Sequence, residues 1–315
     1  MDQHEEAAAP AYVYTYACHE DELPLCRLEH RLLFGCDPGD AGYVVSRREV
    51  DPSRSPFTKL RLAVLYDTDS LEQMAQSVET LSLGSATFKV VYVETGGTVD
   101  YDRQRAVERL LGSHIRGKAE MRQPQRTFGI AHIEGRWLFG ECSRNEAVWL
   151  RHNEKPQQYS TALSTRVARA VANIAVPEPA GTRAIDPCCG IGTVVLEALS
   201  MGIDIVGNDI NPLAVRGARV NLAHYGHPNV VSLGDIRRIE GHYDVAIVDL
   251  PYNLCSVLTT GEQLEMLASA RRLAGRAVII ATDMIDEAIE QAGFVIADRC
   301  EVRKGRFVRH IFVCA

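Results

Sequence analysis

The pattern of apolar and polar positions changes about halfway along the chain. From residue 182 onward, short apolar runs alternate with amphipathic segments of helical period, starting with a run at 182–187 and a helix at 192–201. Strict alternation of this kind predicts a parallel sheet with helices on both faces. The last two apolar runs flank R-K-G-R and predict a terminal antiparallel hairpin.

The first 150 residues have a more mixed order. Strand-like runs such as A-Y-V-Y-T-Y-A and R-L-A-V-L-Y are interspersed with a helix that stops at Gly35, a helix capped by Ser70 and a helix over about 102–115. Glu134-Gly135 joins two alternating runs and predicts a hairpin. The region is therefore α+β, plausibly two small units, and the boundary falls near residue 155, which divides the chain into 1–155 and 156–315.

Composition narrows the class of protein. With 315 residues and 46% apolar content the chain can bury the cores of two domains. No apolar run is long enough for a membrane span and the first residues do not resemble a signal peptide, so we expect a cytoplasmic protein with no membrane segment. Nine cysteines without a C-x-x-C pair indicate neither a zinc site nor a disulfide framework, and no metal is expected.

The charge is negative overall, −7, but two segments are basic. Residues 103–126 hold seven basic side chains against two acidic ones, and residues 299–309 hold five against one. A basic segment on an acidic chain can contact phosphates, although a solvated helix face is the commoner meaning. The candidates for RNA contact in the first segment are Arg105, Arg109, Arg116, Lys118 and Arg122.

A glycine loop follows the first strand of the second half. It reads D-P-C-C-G-I-G-T over 186–193 and opens a helix, so a ligand can approach the backbone at Gly190 and Gly192 and face the helix N-terminus. The dinucleotide pattern G-x-G-x-x-G fails because Val195 stands at the third glycine. A cofactor without a pyrophosphate fits better, and Asp186 beside the loop suits a cationic ligand.

Two further strands end in carboxylates. Asp209 follows the second strand, where an acidic residue accepts hydrogen bonds from ribose hydroxyls. Its alternative is a helix cap together with Asn211. Asp235 ends the third strand and can accept from an adenine amine, or serve only as a turn residue.

The segment Asp249-Leu250-Pro251-Tyr252-Asn253 points to the reaction. The exocyclic amine of a purine is a poor nucleophile because its lone pair is delocalised into the ring. A carboxylate at Asp249 and the carbonyl of Leu250 can each accept one N–H and stabilise the positive charge that develops as the amine attacks a methyl group. Pro251 would fix the turn and Tyr252 would offer a face for the extruded base.

These motifs resemble those of class I S-adenosylmethionine-dependent methyltransferases that methylate amines, whose fourth motif reads D/N-P-P-Y/F. The whole chain resembles the THUMP-domain tRNA guanosine-N2 methyltransferases, through F-G-I-A-H-I-E-G-R-W-L-F-G, K-P-Q-Q-Y-S and A-N-I-A in addition. The resemblance implies a Rossmann-like catalytic domain after an α+β region of ferredoxin-like and THUMP type. It also implies S-adenosylmethionine as cofactor, tRNA as substrate, and a possible small activating subunit.

The resemblance assigns residues to two parts of one site. Cofactor contacts are expected at Asp186, Cys188, Gly190, Gly192, Thr193, Asp209, Ile210, Asp235 and Ile236. The catalytic segment is Asp249, Leu250, Pro251 and Tyr252, with Asn253 and the 103–126 segment on the RNA. Leu250 departs from the family pattern, which has proline there, so the loop is expected to be less rigid and the target base less certain.

Two other functions remain open at this stage. An N6-adenine methyltransferase acting on DNA or ribosomal RNA would use the same D-L-P-Y chemistry, since both targets present an amine on an aromatic ring. A non-catalytic RNA-binding protein with a vestigial cofactor site would keep only the fold. Neither the tRNA position, the number of methyl groups added nor the oligomeric state follows from the sequence.

Overall fold

The structure is a computed structural model that describes residues 12–97, 99–159, 162–251, 259–305 and 307–315. The helices in these ranges are α1 (Leu23–Phe34), α2 (Leu71–Val78), α3 (Tyr101–His114), α4 (Thr165–Ala175), α5 (Thr193–Ser200), α6 (Pro212–His224), α7 (Thr260–Leu273) and α8 (Asp286–Gln291). The first seven strands are β1 (Tyr12–Tyr16), β2 (Tyr43–Ser46), β3 (Thr58–Thr68), β4 (Ser82–Tyr92), β5 (Arg116–Ala119), β6 (Arg126–Ile133) and β7 (Arg136–Arg144). The other seven are β8 (Arg183–Asp186), β9 (Asp204–Asp209), β10 (Val231–Leu233), β11 (Tyr243–Asp249), β12 (Ala274–Ala281), β13 (Ile296–Lys304) and β14 (Phe307–Cys314).

The chain divides into two compact units that are interleaved in sequence. The first comprises 1–17, 34–53 and 57–146, and the second comprises 18–33, 54–56 and 147–315. Nearly all of α1 therefore packs with the second unit, although its sequence lies in the first half of the chain. The predicted division into 1–155 and 156–315 describes continuous halves, whereas the compact units are discontinuous.

The first unit contains one seven-stranded sheet in the order β2-β1-β3-β7-β6-β4-β5. The strands expected to form two small units are thus hydrogen-bonded into one sheet. The predicted hairpin is confirmed: β6 and β7 pair antiparallel, and Glu134 and Gly135 both have positive φ, as a two-residue turn requires. Ser70 caps α2 as expected, accepting from the N–H of Gln73. Strand β5 was missed because it is short, polar and at the sheet edge.

The second unit contains a seven-stranded sheet in the order β10-β9-β8-β11-β12-β14-β13. Strands β8 to β12 run parallel, and β14 pairs antiparallel with both β12 and β13. The predicted α/β sheet with a terminal antiparallel hairpin is confirmed. The order reverses between β8 and β11, which creates a crevice at the carboxyl ends of the strands.

Apolar side chains on the two faces of this sheet hold the helices in place. Helix α4 is almost entirely buried, and the core beneath α7 and α8 includes Val248, Ile279 and Phe312. No helix in the described parts of the chain is long and apolar enough to cross a membrane. The carboxyl ends of β8, β9, β10 and β11 are left as the surface on which polar groups meet.

Candidate active site

A cavity of about 470 Å³ opens at the carboxyl ends of these strands. Most of the predicted site residues lie on its wall: Cys188, Gly190, Asp209, Ile210, Asp235, Ile236, Asp249, Leu250 and Pro251. Four separate sequence segments therefore meet at one crevice, as the parallel arrangement of the strands predicts.

Not every predicted residue reaches the cavity surface. Asp186, which is buried, is not among the lining residues, and neither are Gly192 and Thr193. Tyr252 and Asn253 lie outside the described residues. Gly192 has a structural function instead. Its φ is +76°, and a Cβ there would stand 3.1 Å from the Cβ of Ala218 on α6.

Gly190 differs from Gly192 in what surrounds it. Its φ is +53°, and a Cβ there would meet no atom within 4 Å, so the open space beside it is the cavity. Its N–H donates to Oδ2 of Asp209 at 2.8 Å. The glycine loop thus presents bare backbone to a ligand, as expected for close approach.

Asp209 lies on the cavity wall and also supports the start of α6. Its Oδ1 accepts from the N–H of Asn211 at 2.8 Å, and Asn211 in turn caps α6 by accepting from the N–H of Leu213. The cap itself is therefore Asn211, and the Asp209 carboxylate remains on the cavity wall. Beside it Ile210 is 67% exposed, an unusual state for an isoleucine, and faces the cavity together with Ile236. Apolar side chains on a cavity wall can pack against a flat ring.

Asp235 is held by an arginine that the sequence did not single out. The guanidinium of Arg237 contacts Oδ2 of Asp235 at 2.6 Å and Glu265 at 3.0 Å. This ion pair keeps the pKa of Asp235 below its usual range. An adenine amine bound at Asp235 would therefore share the carboxylate with Arg237.

The carboxyl of Asp186 is buried, and that of Asp249 is half-buried on the cavity wall. Asp186 is 2% exposed, and burial, together with the nearby carboxyls of Asp249 and Asp209, raises its pKa well above the usual range. Burial raises the pKa of Asp249 to about 7, while Arg309 acts in the opposite direction. A cationic ligand would offset the repulsion between these groups, which fits a sulfonium and an ammonium group.

Asp249 also has an unsatisfied acceptor. Its Oδ1 is buried and has no hydrogen-bond partner in the described structure. A buried polar atom without a partner costs roughly 1–3 kcal/mol, and such atoms occur at ligand sites. The backbone of Leu250 is fixed, because its N–H donates to the carbonyl of Ile280 at 3.0 Å.

The side chain of Leu250 explains its departure from the family pattern. It is 3% exposed and belongs to the core beneath α7 and α8. Apolar packing and the hydrogen bond to Ile280 thus anchor this position in place of the ring of proline. The expectation of a less rigid loop stays a prediction, because residues 252–258 lie outside the described part of the chain.

Several residues that shape the site were missed by the sequence reading. Asn208 is buried, and its side-chain amide donates to the carbonyl of Gly234 at 2.7 Å and to that of Pro187 at 3.4 Å, which joins the loops after β8 and β10. Asn221 of α6 donates to Ile191 in the glycine loop and exchanges hydrogen bonds with the backbone of Gln157. The N-D-I motif contains Asn208, but the sequence analysis assigned only Asp209 and Ile210 of that motif to the cofactor.

The basic candidates in the first unit lie on two elements. Arg109 is exposed on α3, Arg116 and Lys118 are exposed on β5, and Arg122 is exposed after it. Arg105 differs, because it pairs with Glu108 at 2.6 Å and lies over the ring of Tyr101. The structure leaves the basic charge of the other four at the surface of this unit.

The second unit has the fold of class I methyltransferases, with a parallel sheet whose order reverses between β8 and β11 and an antiparallel hairpin at its edge. Residues 152–285 match the family UPF0020, described as "RMKL-like, methyltransferase domain". The prediction of a methyltransferase is confirmed by this match, and with it the predicted cofactor, S-adenosylmethionine, since this class takes its methyl group from that molecule.

Individual relatives agree with this class. A tRNA (guanine(10)-N2)-dimethyltransferase of Methanothermobacter thermautotrophicus is 29% identical over 273 residues, which cover 78% of this chain and 79% of that protein. One from Pyrococcus abyssi is 32% identical over 112 residues, 34% of this chain and 33% of that protein. The crystal structure of TrmN from Thermus thermophilus shares the fold, with a TM-score of 0.50 and 18% identity over 96% of this chain and 98% of that one.

Proposed function

We propose that this protein transfers a methyl group from S-adenosylmethionine to the exocyclic N2 amine of a guanosine in tRNA. The observation that carries the proposal is the unpaired, buried Oδ1 of Asp249 on the wall of a cavity that Asp209 and Asp235 also line. The similarity to tRNA guanine-N2 dimethyltransferases over more than three quarters of the chain supports guanosine and tRNA over other amine substrates.

Four side chains of the cavity wall, and Asp186 in addition, are assigned to the cofactor. We assign Ile210 and Ile236 to the two faces of the adenine, Asp209 to the ribose hydroxyls and Asp235 to the adenine amine. Asp186 accepts a hydrogen bond from the backbone N–H of Cys188 in the glycine loop, and we assign it to the ammonium group of the methionine part. Bound there, the cofactor supplies an electrophilic methyl group on a positively charged sulfur.

The base end is made of the segment that begins at Asp249. Its carboxylate and the carbonyl of Leu250 accept the two N–H bonds of the target amine, which directs the nitrogen lone pair toward the methyl group. The amine gains a methyl group and gives up one proton, and the carboxylate of Asp249 is placed to receive it. Pro251 lies on the cavity wall, and Tyr252 is assigned to stacking on the base.

The tRNA substrate is proposed to bind to the first unit. Its exposed basic residues on α3, on β5 and after β5 supply charge for tRNA phosphates, and we assign this unit to the ferredoxin-like and THUMP type. A small activating subunit and a cytoplasmic location remain parts of this proposal. If the purified chain alone transfers the methyl group to tRNA, an activating subunit is not required.

The test is identification of the methylated nucleoside. Purified protein is incubated with unmodified tRNA and S-adenosylmethionine labelled in its methyl group, and the product is digested to nucleosides. We expect N2-methylguanosine or N2,N2-dimethylguanosine. N6-methyladenosine would overturn the assignment of guanosine, and absence of labelled nucleoside despite cofactor binding would favour a vestigial site.

A variant of Asp249 ties the reaction to this site. Asp249→Asn keeps the shape but offers an N–H where the amine needs an acceptor, so we expect turnover to fall about 100- to 1000-fold. Affinity for S-adenosylhomocysteine, measured by calorimetry, should change little. The matched control is Asp204→Asn at the opposite end of β9, where the carboxyl is exposed.

A further inference from the structure

Arg309 of β14 shares a sheet face with Asp249. In the strand register, Asp249 lies level with Ile280 of β12, and Ile280 lies level with Ile311 of β14. Side chains two residues apart on a strand point to the same face, so Arg309 is on the face of Ile311 and Asp249. Asp186 joins this face from β8, since Ile185 is level with Ala246.

Arg309 also lies at the edge of the sheet that carries the cavity. His310 is level with Ala281, the last residue of β12, and β14 runs antiparallel to β12. Arg309 therefore extends beyond the carboxyl end of β12, in the direction of the base end of the cavity. The guanidinium lies over the ring of Phe307, 4.6 Å from its centroid, which favours one position of the charge.

The charges around Asp249 have opposite signs on its two sides. Asp186 from β8 and, beyond it, Asp209 from β9 are acidic, and the thiol of Cys188 is kept neutral because burial raises its pKa. Arg309 is the group whose positive charge acts on Asp249 and counters the effect of burial. Among the described residues, its removal would leave Asp249 with the effect of burial and with acidic neighbours.

We propose that Arg309 is a positioning residue for methyl transfer, which holds Asp249 in the carboxylate form that accepts an N–H of the target amine. The idea rests on the proposed function. A protonated Asp249 would present an O–H donor to an amine that also donates, so the amine could not be oriented. Phe307 assists by holding the guanidinium on the correct side of the sheet.

The consequence for pH dependence has a definite sign. A nearby positive charge lowers the pKa of a carboxyl, so its removal raises the pKa of Asp249. The active carboxylate form then exists only at higher pH. Arg309→Gln should therefore lose activity on the acid side of the pH profile and keep it on the alkaline side.

The experiment measures kcat for tRNA methylation from pH 5.5 to 9 in wild type, Arg309→Gln and Arg309→Lys. We expect the acid limb of Arg309→Gln to move up by about one pH unit, with roughly tenfold lower kcat on that limb and near wild-type kcat at pH 9. Arg309→Lys, which keeps the charge, should move it less. The matched control is Arg303→Gln on the neighbouring strand, whose exposed side chain pairs with Glu301.

Other results overturn the proposal. If Arg309→Gln lowers activity equally at every pH and raises the KM for tRNA, Arg309 contacts a phosphate of the tRNA instead. If the pH profile of kcat is unchanged, Arg309 does not position Asp249. If Arg309→Gln does not fold, Phe307→Leu is measured instead. We expect its acid limb to move to higher pH by less than that predicted for Arg309→Gln, and an unchanged acid limb would contradict the proposal. Failure of wild-type enzyme to methylate guanosine would instead contradict the proposed function.

Discussion

The carboxylate of Asp209 accepts a hydrogen bond from the backbone N–H of Gly190. This contact joins the end of β9 to the glycine loop after β8, and the second oxygen of the carboxylate fixes the start of α6 through Asn211. The residue proposed to bind the ribose is thus also the residue that sets the shape of the loop. Loss of the Asp209 charge should therefore weaken cofactor binding twice, through the contact with the ribose and through the shape of the glycine loop.

Asp209→Asn is expected to weaken binding of S-adenosylhomocysteine. The amide offers N–H groups where Gly190, Asn211 and the ribose hydroxyls need acceptors, so one or two hydrogen bonds are lost. At about 1–1.5 kcal/mol each, the Kd should rise about 10- to 100-fold. Calorimetry provides the measurement, with Asp204→Asn as control, and a Kd within twofold of wild type would contradict the ribose assignment.

Alanine substitutions at Gly190 and Gly192 should differ in whether they affect mainly cofactor binding or mainly stability. Gly190→Ala places a methyl group in the cavity, where no protein atom lies within 4 Å, and its positive φ costs about 1–2 kcal/mol. Gly192→Ala has a similar φ and also brings its Cβ to 3.1 Å from Ala218. We therefore expect Gly192→Ala to be the less stable variant in urea unfolding.

Cofactor binding should follow the reverse order. At a temperature where both variants are folded, Gly190→Ala should bind S-adenosylhomocysteine more weakly than Gly192→Ala does. Equal affinities would show that the cofactor does not approach the backbone at Gly190.

The exposed basic residues of the first unit should matter for tRNA and not for the cofactor. Single changes of Arg109, Arg116, Lys118 or Arg122 to glutamine are expected to raise the KM for tRNA, and each should lower the salt dependence of binding by about one ion. Arg105→Gln should have a smaller effect, since its charge is paired with Glu108.

The control for this series is Arg136→Gln, an exposed arginine of the same unit that is paired with Asp67 and Asp69. Its KM for tRNA should stay near wild type. If the control and the four variants behave alike, net charge rather than a defined surface governs binding.

A buried ion pair beneath the glycine loop should dominate the stability of the second unit. Glu197 of α5 is 0% exposed and contacts Arg169 of α4 at 2.8 Å, and it also bonds to His152. Glu197→Ala leaves Arg169, 2% exposed, without this partner, which costs about 3–5 kcal/mol. Urea unfolding measures the change.

The comparison is an exposed pair in the same unit. Arg183 and Asp204 lie 3.9 Å apart at the surface, where an ion pair contributes at most about 1 kcal/mol. Asp204→Asn should therefore leave the midpoint nearly unchanged. A small loss in Glu197→Ala would mean that the neighbouring polar groups satisfy Arg169 without the carboxylate.

The sequence predicted most strands and helices because their periodicity is local. It also predicted the acidic strand ends, since parallel strands bring their carboxyl ends to one edge whatever lies between them. It did not predict Arg237 or Arg309, whose roles depend on which strand lies beside which. Register between distant strands is set by packing and leaves no local pattern for a single arginine in a basic run.

Leu250 shows that a motif position can be recognised in the sequence while its environment cannot. The sequence did not indicate that the side chain of Leu250 packs in the core beneath α7 and α8, because that packing depends on distant elements. Strand β5 was missed for a related reason, because a short polar edge strand has no apolar alternation to detect.

The interleaving of the two units has a consequence for synthesis of the chain. Helix α1 emerges from the ribosome before β8, yet its packing partners in the second unit come more than a hundred residues later. One of these partners is Asn173 of α4, whose side-chain amide donates to the buried carboxylate of Glu29 on α1. During translation, all strands of the first unit are therefore made before α1 can contact α4. A fragment that begins at residue 147 would lack α1, a helix of the second unit.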